Sequence, residues 1–325
     1  MNELILEKIR GEYFLCRIPG IVVTRSGALL AYYECRADAS DWADIDIKII
    51  RSEDGGDSWQ TVAIVKGEGS TLNNPVMIVD GEIIHFLYCK NYKELFYAKS
   101  RDDGKSFCEA ANVSYAFEEG RFFYNAAAIG PGHGIKHRGA LIVPVWFAYN
   151  EKDRHAHAPS FIRTLYSTDG GNTWQLGGRI DSDELINPSE CCLAVTEEGR
   201  VLISIRNENP KKRRALAISN TGYSGWGKPY LAENMPDPTC QGSMTHENGD
   251  IYHVNCASDS AIGTDAGRNN LTVKKSRDLF ERFKEIFVDA EGGYSDVALR
   301  HGELCIIYES NIWGKGLLKY KRIKM

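Results

Sequence analysis

The sequence predicts an all-β fold, a six-bladed β-propeller in which one short turn motif recurs from blade to blade. Three observations support this prediction. The motif, Ser-x-Asp-x-Gly-x-Ser/Thr-Trp, occurs in full at residues 52–59 and again at residues 167–174. Strand-like runs of alternating or continuous apolar residues precede and follow the copies. Long amphipathic helical patterns are missing from the 325 residues, which leaves strands as the main building element.

Weaker copies of the motif fill the rest of the chain. Residues 100–107 differ only in ending on Phe107, while residues 219–226 and 276–283 keep little beyond the two ends and the spacing. Successive copies begin 48 to 67 residues apart, which is the length of a four-stranded blade with long loops. Six such units of about 54 residues account for the whole chain. No linker interrupts it, so we predict a single domain over residues 1–325.

Each copy lies between two strand-like runs, as after the apolar residues 45–50, and this context predicts a hairpin turn. In such a turn the Asp accepts hydrogen bonds from the backbone and the Gly adopts a positive φ. The closing aromatic residue packs back beneath the turn. The motif is therefore predicted to have a structural role at the periphery of the propeller.

Composition excludes several classes of protein. With 43% hydrophobic and 26% charged residues the chain is globular, not disordered, collagenous or a coiled coil. A net charge of −5 argues against nucleic acid as a partner, because phosphate backbones need a concentrated basic surface. No apolar run is long enough to span a membrane. The nine scattered cysteines include no CxxC pair, and with no secretory signal at the start they predict buried free thiols in a cytoplasmic protein, unless a leader was removed.

The repeats and the segments around them resemble the sialidases, in which the turn motif is known as the Asp box. The resemblance runs from Arg17 to Glu309. It rests on an ordered set of segments: Arg17-Ile18-Pro19, Pro131-Gly132-His133-Gly134, Pro238 to Ser243, Tyr294-Ser295-Asp296 and Tyr308-Glu309. It implies a retaining exo-α-sialidase that acts on sialylated glycans or oligosaccharides through a covalent tyrosyl–sialyl intermediate, with no cofactor and no metal. The Asp boxes would then lie on the side of the propeller opposite the site.

A sialoside carries a carboxylate on its anomeric carbon, so the enzyme must bind an anion where the reaction occurs. Guanidinium groups suit this task because they stay charged and bind carboxylates in pairs of hydrogen bonds. By resemblance the three arginines are Arg17, Arg206 and Arg268. Arg268 has the weakest local support, because it rests mostly on its place before a degenerate Asp box.

The negative charge of the substrate also favours a tyrosine nucleophile, since a carboxylate approaching the anomeric carbon would be repelled. By resemblance the nucleophile is Tyr294 and the base that activates it is Glu190. Glu190 lies 16 residues before Arg206, a gap that a hairpin could close so that both side chains reach one face. Ser189 stands where relatives usually have Asn or Asp before the Glu.

The acid/base residue is predicted in the loop after the first hairpin, where four aspartates crowd together: Asp38, Asp41, Asp44 and Asp46. The residues alone leave these alternatives open, whereas the spacing in the family places the acid at Asp41. To act as an acid near neutral pH, Asp41 needs a raised pKa. Neighbouring carboxylates or the apolar cover of Trp42 could supply it, although nearby arginines act in the opposite direction.

Four further residues are assigned to the site by resemblance. Arg36 is expected near the substrate carboxylate, and Glu34 is expected to point toward the glycan. Glu309 is expected to pair with the first arginine and orient it. Asn74 stands where relatives often carry an Asp that faces the substituents of the sugar, and the change predicts a different preference there.

Other interpretations remain. A transferase related to the trans-sialidases, an enzyme specific for another nonulosonic acid, and a non-catalytic sialoglycan-binding propeller would share much of this pattern. The last is disfavoured because a lectin has no use for Tyr294 with Glu190. His155 and His157 are two residues apart, but no Cys or carboxylate cluster accompanies them, so no metal site is predicted. The sequence does not indicate linkage preference or oligomeric state.

Overall fold

The structure is a computed structural model that describes residues 2–259, 267–311 and 314–325. Within these residues the chain forms 26 strands in six sheets and one short helix. Each sheet is one blade, so the predicted six-bladed β-propeller is confirmed. The segment β1 (Asn2–Glu7) comes first in the chain but belongs to the last blade, in which it pairs with the final strand.

The first three blades follow in chain order, and their strands have the following bounds. Blade 1 consists of β2 (Leu15–Val23), β3 (Leu29–Arg36), β4 (Ile45–Ser52) and β5 (Gln60–Val65). Blade 2 consists of β6 (Leu72–Asp80), β7 (Ile83–Lys90), β8 (Glu94–Ser100) and β9 (Ala111–Asn112), after which comes the helix α1 (Tyr115–Glu118). Blade 3 consists of β10 (Ala126–Ile129), β12 (Ile135–His137), β13 (Ala140–Ala148), β14 (Ser160–Ser167) and β15 (Gln175–Leu176), while β11 (Gly132–His133) joins blade 2 beside β6.

The remaining three blades have four strands each. Blade 4 consists of β16 (Cys191–Val195), β17 (Val201–Ile205), β18 (Arg213–Ser219) and β19 (Tyr230–Pro236). Blade 5 consists of β20 (Ser243–Glu247), β21 (Asp250–Cys256), β22 (Asn269–Ser276) and β23 (Lys284–Glu291). Blade 6 consists of β24 (Ser295–Arg300), β25 (Glu303–Ser310), β26 (Leu317–Lys324) and the N-terminal β1.

The first strands of blades 1, 5 and 6 meet near the propeller axis, as the contacts of Asp296 show. This buried carboxylate of β24 accepts a hydrogen bond from the backbone N–H of Ile21 in β2 at 2.8 Å. It also lies 2.8 Å from Nδ1 of His133 in β11 and accepts a hydrogen bond from Ser243 of β20. A buried carboxylate must be paired or hydrogen-bonded to be tolerated. Asp296 therefore ties the inner strands of separate blades together.

The five Asp boxes all connect the two outermost strands of a blade. Blade 6 has none because its fourth strand is β1, which comes from the other end of the chain. In the first box Asp54 accepts hydrogen bonds from the Ser52 hydroxyl at 2.7 Å and from the Ser58 backbone N–H at 2.9 Å. Gly56 has a φ of 95°, and a Cβ there would lie 2.1 Å from the Tyr320 ring of blade 6. The box is thus both a turn and a contact between neighbouring blades.

The fifth box departs from this pattern in an instructive way. Phe280 stands at the position of the glycine and has a φ of 66°, which is unusual for a residue with a side chain. Its ring is 2% exposed and lies 5.7 Å from the ring of His253. Because the ring fills the space between blades 4 and 5, burial of apolar surface compensates for the backbone conformation.

Eight of the nine cysteines are buried, as the sequence predicts, and Cys108 is exposed. The Sγ atoms of Cys16 and Cys35, on paired strands, are 3.6 Å apart. The described part of the chain contains no helix with the length and apolarity that crossing a bilayer requires.

Candidate active site

One pocket of about 210 Å³ lies at the end of the propeller opposite the Asp boxes. Blade 1 shows the separation: the loop before β4 carries Asp41 and reaches the pocket, whereas β4 ends at Ser52 in the first box. At about 3.3 Å per residue, the length of β4 places the two ends roughly 23 Å apart. Eight of the ten residues assigned by resemblance line the pocket: Arg17, Arg36, Asp41, Asn74, Glu190, Arg206, Arg268 and Tyr294.

Tyr294 and Glu190 form a hydrogen-bonded pair at the base of this pocket. The Tyr294 hydroxyl donates to Glu190 Oε1 at 2.5 Å and accepts a hydrogen bond from Arg206 Nη1 at 2.6 Å. Burial raises the pKa of Tyr294 far above its usual value, and Arg206, Arg268 and Arg17 only partly offset it. The phenol therefore keeps its proton at neutral pH. A base in direct contact, which is Glu190, is needed to remove it.

A hairpin brings Glu190 next to Arg206, as the sequence predicts. Cys191 at the start of β16 pairs with Ile205 at the end of β17, and the ladder continues beyond them. The Ser189 backbone N–H donates to the Arg206 carbonyl at 3.0 Å, and the Arg206 N–H donates to the Glu190 carbonyl at 3.1 Å. The two side chains form an ion pair. Glu190 and Arg206 are thus fixed by the same pair of strands.

The three arginines surround the ring of Tyr294. Their Cζ atoms lie 5.2 Å (Arg17), 5.9 Å (Arg206) and 5.3 Å (Arg268) from the centre of that ring. Among the described residues, Arg206 Nε and Arg268 Nη1 are buried and have no hydrogen-bond partner. Buried donors of this kind require an acceptor. Together with three positive charges, they make the pocket a site for an anion with more than one acceptor oxygen.

Glu309 lies behind Arg17, outside the pocket lining. Its carboxylate accepts hydrogen bonds from Arg17 Nε at 3.0 Å and Nη2 at 3.2 Å, and from the backbone N–H groups of Ile18 at 3.0 Å and Tyr294 at 3.3 Å. Burial alone would raise the pKa of Glu309, but Arg17 and Arg268 hold it below its usual value. Glu309 therefore fixes the orientation of Arg17. This is the contact expected for Glu309 from the resemblance.

Asp41 is the one aspartate of its loop that lines the pocket in the described part of the chain. Its Oδ1 lies 2.6 Å from Arg36 Nη1 and 3.8 Å from Arg17 Nη1. Burial raises the pKa of Asp41. The two arginines lower it by more than burial raises it, and the resulting pKa is about 2. The expectation of a raised pKa for Asp41 is therefore wrong. Trp42 does not line the pocket but packs at a tilt against Tyr92 and His155, so it does not supply the expected cover.

Glu34 does not point toward a glycan, which corrects that expectation. Its side chain is 0% exposed, because it projects from β3 into the interior. Its Oε2 accepts from Arg36 Nε at 2.9 Å and Nη2 at 2.6 Å, while Oε1 accepts from the Asn74 backbone N–H at 2.9 Å. Glu34 thus orients both Arg36 and Asn74, whose side chain accepts a hydrogen bond from Asn73 at 3.2 Å.

The wall of the pocket on blades 2 and 3 was not found from the sequence, apart from Asn74. It consists of Tyr92, Trp146 and His157, and blade 4 adds Asn187 and Glu208. Burial lowers the pKa of His157, so its ring is neutral. The His155-x-His157 spacing was the one sequence signal for this wall, because His157 lines the pocket. In the described residues no three His, Cys, Asp or Glu side chains are grouped to hold a metal ion.

Comparison with known proteins gives a consistent picture. The family model described as a BNR repeat-like domain matches residues 27–306. Among curated proteins, the chain is 25% identical to a sialidase of Bacteroides fragilis over 91% of its own length and 60% of that protein. It is also 25% identical to an exo-alpha-sialidase of Arthroderma benhamiae, over 86% of this chain and 74% of that one. The chain thus spans about three fifths of the Bacteroides relative's length.

Solved structures share the fold. The Hadza microbial sialidase Hz136 superposes with a TM-score of 0.78 at 22% identity, covering 96% of this chain and 66% of that one. The intramolecular trans-sialidase from Ruminococcus gnavus superposes with a TM-score of 0.75 at 15% identity, covering 100% and 97%. At these identities the similarity shows a common propeller.

Proposed function

The chain belongs to the BNR repeat-like family, and from that premise we propose that it is a retaining exo-α-sialidase. The observation that carries the proposal is the contact between Tyr294 and Glu190 inside a ring of three arginines. Its relatives include sialidases from a bacterium and a fungus, which supports the same activity. The substrate would be a terminal sialic acid on a glycan or oligosaccharide.

The arginines would bind the substrate by its carboxylate. Arg206 Nε and Arg268 Nη1 are buried donors without partners among the described residues, and a carboxylate supplies two acceptor oxygens. Arg17 is held toward the same point by Glu309. A carboxylate bound in this way would bring the anomeric carbon that bears it beside the Tyr294 hydroxyl. The geometry is set before the substrate arrives, so little is lost in ordering the site.

The Tyr294–Glu190 pair would then supply the nucleophile. Glu190 takes the phenolic proton while the oxygen of Tyr294 attacks the anomeric carbon, and Arg206 stabilises the developing negative charge from 2.6 Å. Asp41 gives a proton to the oxygen of the leaving sugar as that bond breaks. In the second step Asp41 takes a proton from water, which attacks the same carbon, while the departing oxygen of Tyr294 takes back the proton held by Glu190. Two displacements at one carbon retain its configuration.

Two alternatives to a hydrolase are a lectin and a transferase. The residues of the site argue against the lectin, and the product distinguishes the transferase. A lectin would need the arginines but not a buried tyrosine in contact with a base, so Tyr294 and Glu190 favour catalysis. A transferase would use the same intermediate and differ only in the acceptor, which is a hydroxyl in place of water. The product therefore distinguishes them: free sialic acid indicates hydrolysis, whereas a new sialoside or an internal anhydro sugar indicates transfer.

The test is release of fluorophore from 4-methylumbelliferyl sialoside, with the products identified by mass spectrometry. Tyr294→Phe should lose activity by about a thousandfold or more while still binding sialic acid, because only the nucleophile is removed. Tyr166→Phe, which removes a hydroxyl bonded to Gln175 outside the pocket, is the matched control and should be unchanged. A fluorinated sialoside should label Tyr294. No turnover by the wild type, or a label on another residue, would overturn the proposal.

A further inference from the structure

Trp42 follows the proposed acid Asp41 directly in the chain but does not line the pocket among the described residues. Its indole instead contacts two rings from neighbouring blades. The centre of the Tyr92 ring is 4.7 Å away, and the centre of the His155 ring is 4.5 Å away on the connection between β13 and β14. The residue next to the acid is thus held by blade 2 and blade 3, although it belongs to blade 1.

These contacts are part of a larger group of rings, which we call the aromatic clasp. His157 lies 5.2 Å from both Tyr92 and Trp146 and 6.3 Å from Trp42. The separations are those at which aromatic rings attract one another. The clasp therefore consists of Trp42, Tyr92, Trp146, His155 and His157, and it joins three blades on one side of the pocket.

The partners of Trp42 are themselves fixed. Asn125 Nδ2 donates to the carbonyl of Ala156, between the two histidines, at 2.7 Å, and Asn150 Nδ2 donates to the carbonyl of Ala158 at 2.9 Å. Tyr92 is 4% exposed, and its carbonyl accepts a hydrogen bond from the Ala127 backbone N–H at 2.8 Å. The rings that contact Trp42 are anchored by hydrogen bonds that do not involve the acid loop.

Asp41 has a particular need for such an anchor. Its carboxylate is 43% exposed and is held by charge, through Arg36 at 2.6 Å and Arg17 at 3.8 Å. A general acid must carry a proton in the first step, and a protonated carboxyl loses most of its attraction to a guanidinium. A bound substrate carboxylate also competes for Arg17. The contacts that place Asp41 are therefore weakest when it has to act.

We propose that the aromatic clasp positions Asp41 by holding Trp42, so that the acid stays in place when it is neutral. This inference rests on the proposed sialidase function. Trp42 is then a positioning residue for proton transfer to the leaving group, and it has no part in forming the nucleophile. A displacement of the acid by about an ångström is enough to lower a rate by roughly a hundredfold.

The distinguishing measurement is the dependence on the leaving group. For Trp42→Ala, kcat/KM on 3′-sialyllactose, whose sugar leaving group needs a proton, should fall by about a hundredfold. On 4-methylumbelliferyl sialoside, whose leaving group departs without one, it should fall by no more than about threefold. Trp42→Phe keeps a ring to stack and should recover most of the loss. Trp59→Ala is the matched control, because Trp59 packs on Tyr320 in the first Asp box at the other end of the blade.

Equal losses of Trp42→Ala on both substrates would overturn the inference, since general loss of structure does not distinguish leaving groups. If that variant does not fold, His155→Ala removes one of the two nearest rings around Trp42 from an exposed position and should show a smaller loss with the same preference. Equal effects of His155→Ala on both substrates would then overturn it. A wild-type protein that cleaves neither substrate would overturn the proposed function itself, and this inference with it.

Discussion

Replacing Glu309 with glutamine tests how the site is assembled beneath the pocket. The substitution keeps the volume of the side chain and one acceptor oxygen, but it removes the negative charge that Arg17 contacts at 3.0 and 3.2 Å. The new amide group would also face donors, namely Arg17 Nη2 and the Tyr294 backbone N–H. The ion pair that is lost is a buried one, because Arg17 is 5% exposed and Glu309 is fully buried.

The expected loss of stability in Glu309→Gln follows from leaving the buried charge of Arg17 without a negative partner. Breaking a buried ion pair by removing one partner costs about 3–5 kcal/mol, because a charge is left without compensation. Glutamine retains one oxygen for Ile18 and Arg17, so we expect the lower end, about 3 kcal/mol. At about 2–4 °C per kcal/mol for a large domain, the melting temperature should fall by roughly 6–12 °C.

The contribution of Glu309 to the free energy of unfolding should depend on pH in a definite direction. The pKa of Glu309 in the folded protein is held below its usual value by Arg17 and Arg268. A carboxyl whose pKa is lowered by folding stabilises the folded state above its unfolded pKa of about 4.3 and loses that contribution as the pH falls through the folded value. The difference in free energy of unfolding between wild type and Glu309→Gln should therefore be constant from about pH 8 to 5.5 and shrink below about 4.3.

The assay is urea unfolding followed by circular dichroism across this pH range. Glu82→Gln is the matched control, because Glu82 pairs with Arg25 at 2.9 Å on the surface, where both side chains are largely exposed. That variant should change the free energy of unfolding by less than about 1 kcal/mol. A difference for Glu309→Gln below about 1 kcal/mol at neutral pH, or one that does not shrink in acid, would refute the reasoning.

Two further predictions separate structure from chemistry. Asp54→Ala removes the acceptor for the Ser58 N–H at 2.9 Å and should lower stability by about 1–2 kcal/mol with kcat/KM unchanged, as thermal melts and the fluorogenic assay would show. Asp57→Ala, an exposed neighbour, should have little effect, and a loss of activity in Asp54→Ala would contradict the placement of the boxes. Asp41→Ala should slow cleavage of sialyllactose by about a hundredfold or more and cleavage of a nitrophenyl sialoside far less. Asp38→Ala should slow neither, and equal losses for Asp41→Ala would mean that Asp41 serves binding or structure.

The fold was predictable from the sequence because its signal is local and repeated. An Asp box needs only eight consecutive residues, and its Ser, Asp and Gly act on one another across four positions, as the bond from Gly56 N–H to Ser52 Oγ at 2.8 Å shows. The presence of only five boxes in a propeller of six blades cannot be explained by a local sequence pattern. The sixth blade lacks a box because its last strand is β1, which pairs with β26 and comes from the opposite end of the chain.

The site was predictable where a motif marks a residue, and not where packing decides. Tyr294, Glu190 and the arginines lie in recognisable segments, and the structure brings them into one pocket. Glu34 also lies in such a segment, but its direction depends on the pleat of β3, which turns it inward toward Arg36. Tyr92 and His157 come from a tight turn and an irregular connection on different blades. Neighbouring blades meet through contacts that sequence spacing does not encode.

The charge on Asp41 shows why a pKa could not be inferred from composition alone. The crowding of aspartates predicts a raised value, but in the structure it is burial that raises the pKa, and Arg36 at 2.6 Å together with Arg17 outweighs burial and lowers the pKa to about 2. In the proposed mechanism the substrate reverses this balance, because its carboxylate neutralises part of the charge on Arg17 and its ring excludes water from the pocket. Both effects raise the pKa of a neighbouring carboxyl. When the leaving sugar departs, Arg36 again favours the ionised form, which is the form that must take a proton from water in the second step. The ion pair between Asp41 and Arg36 that opposes protonation in the first step therefore favours the base in the second.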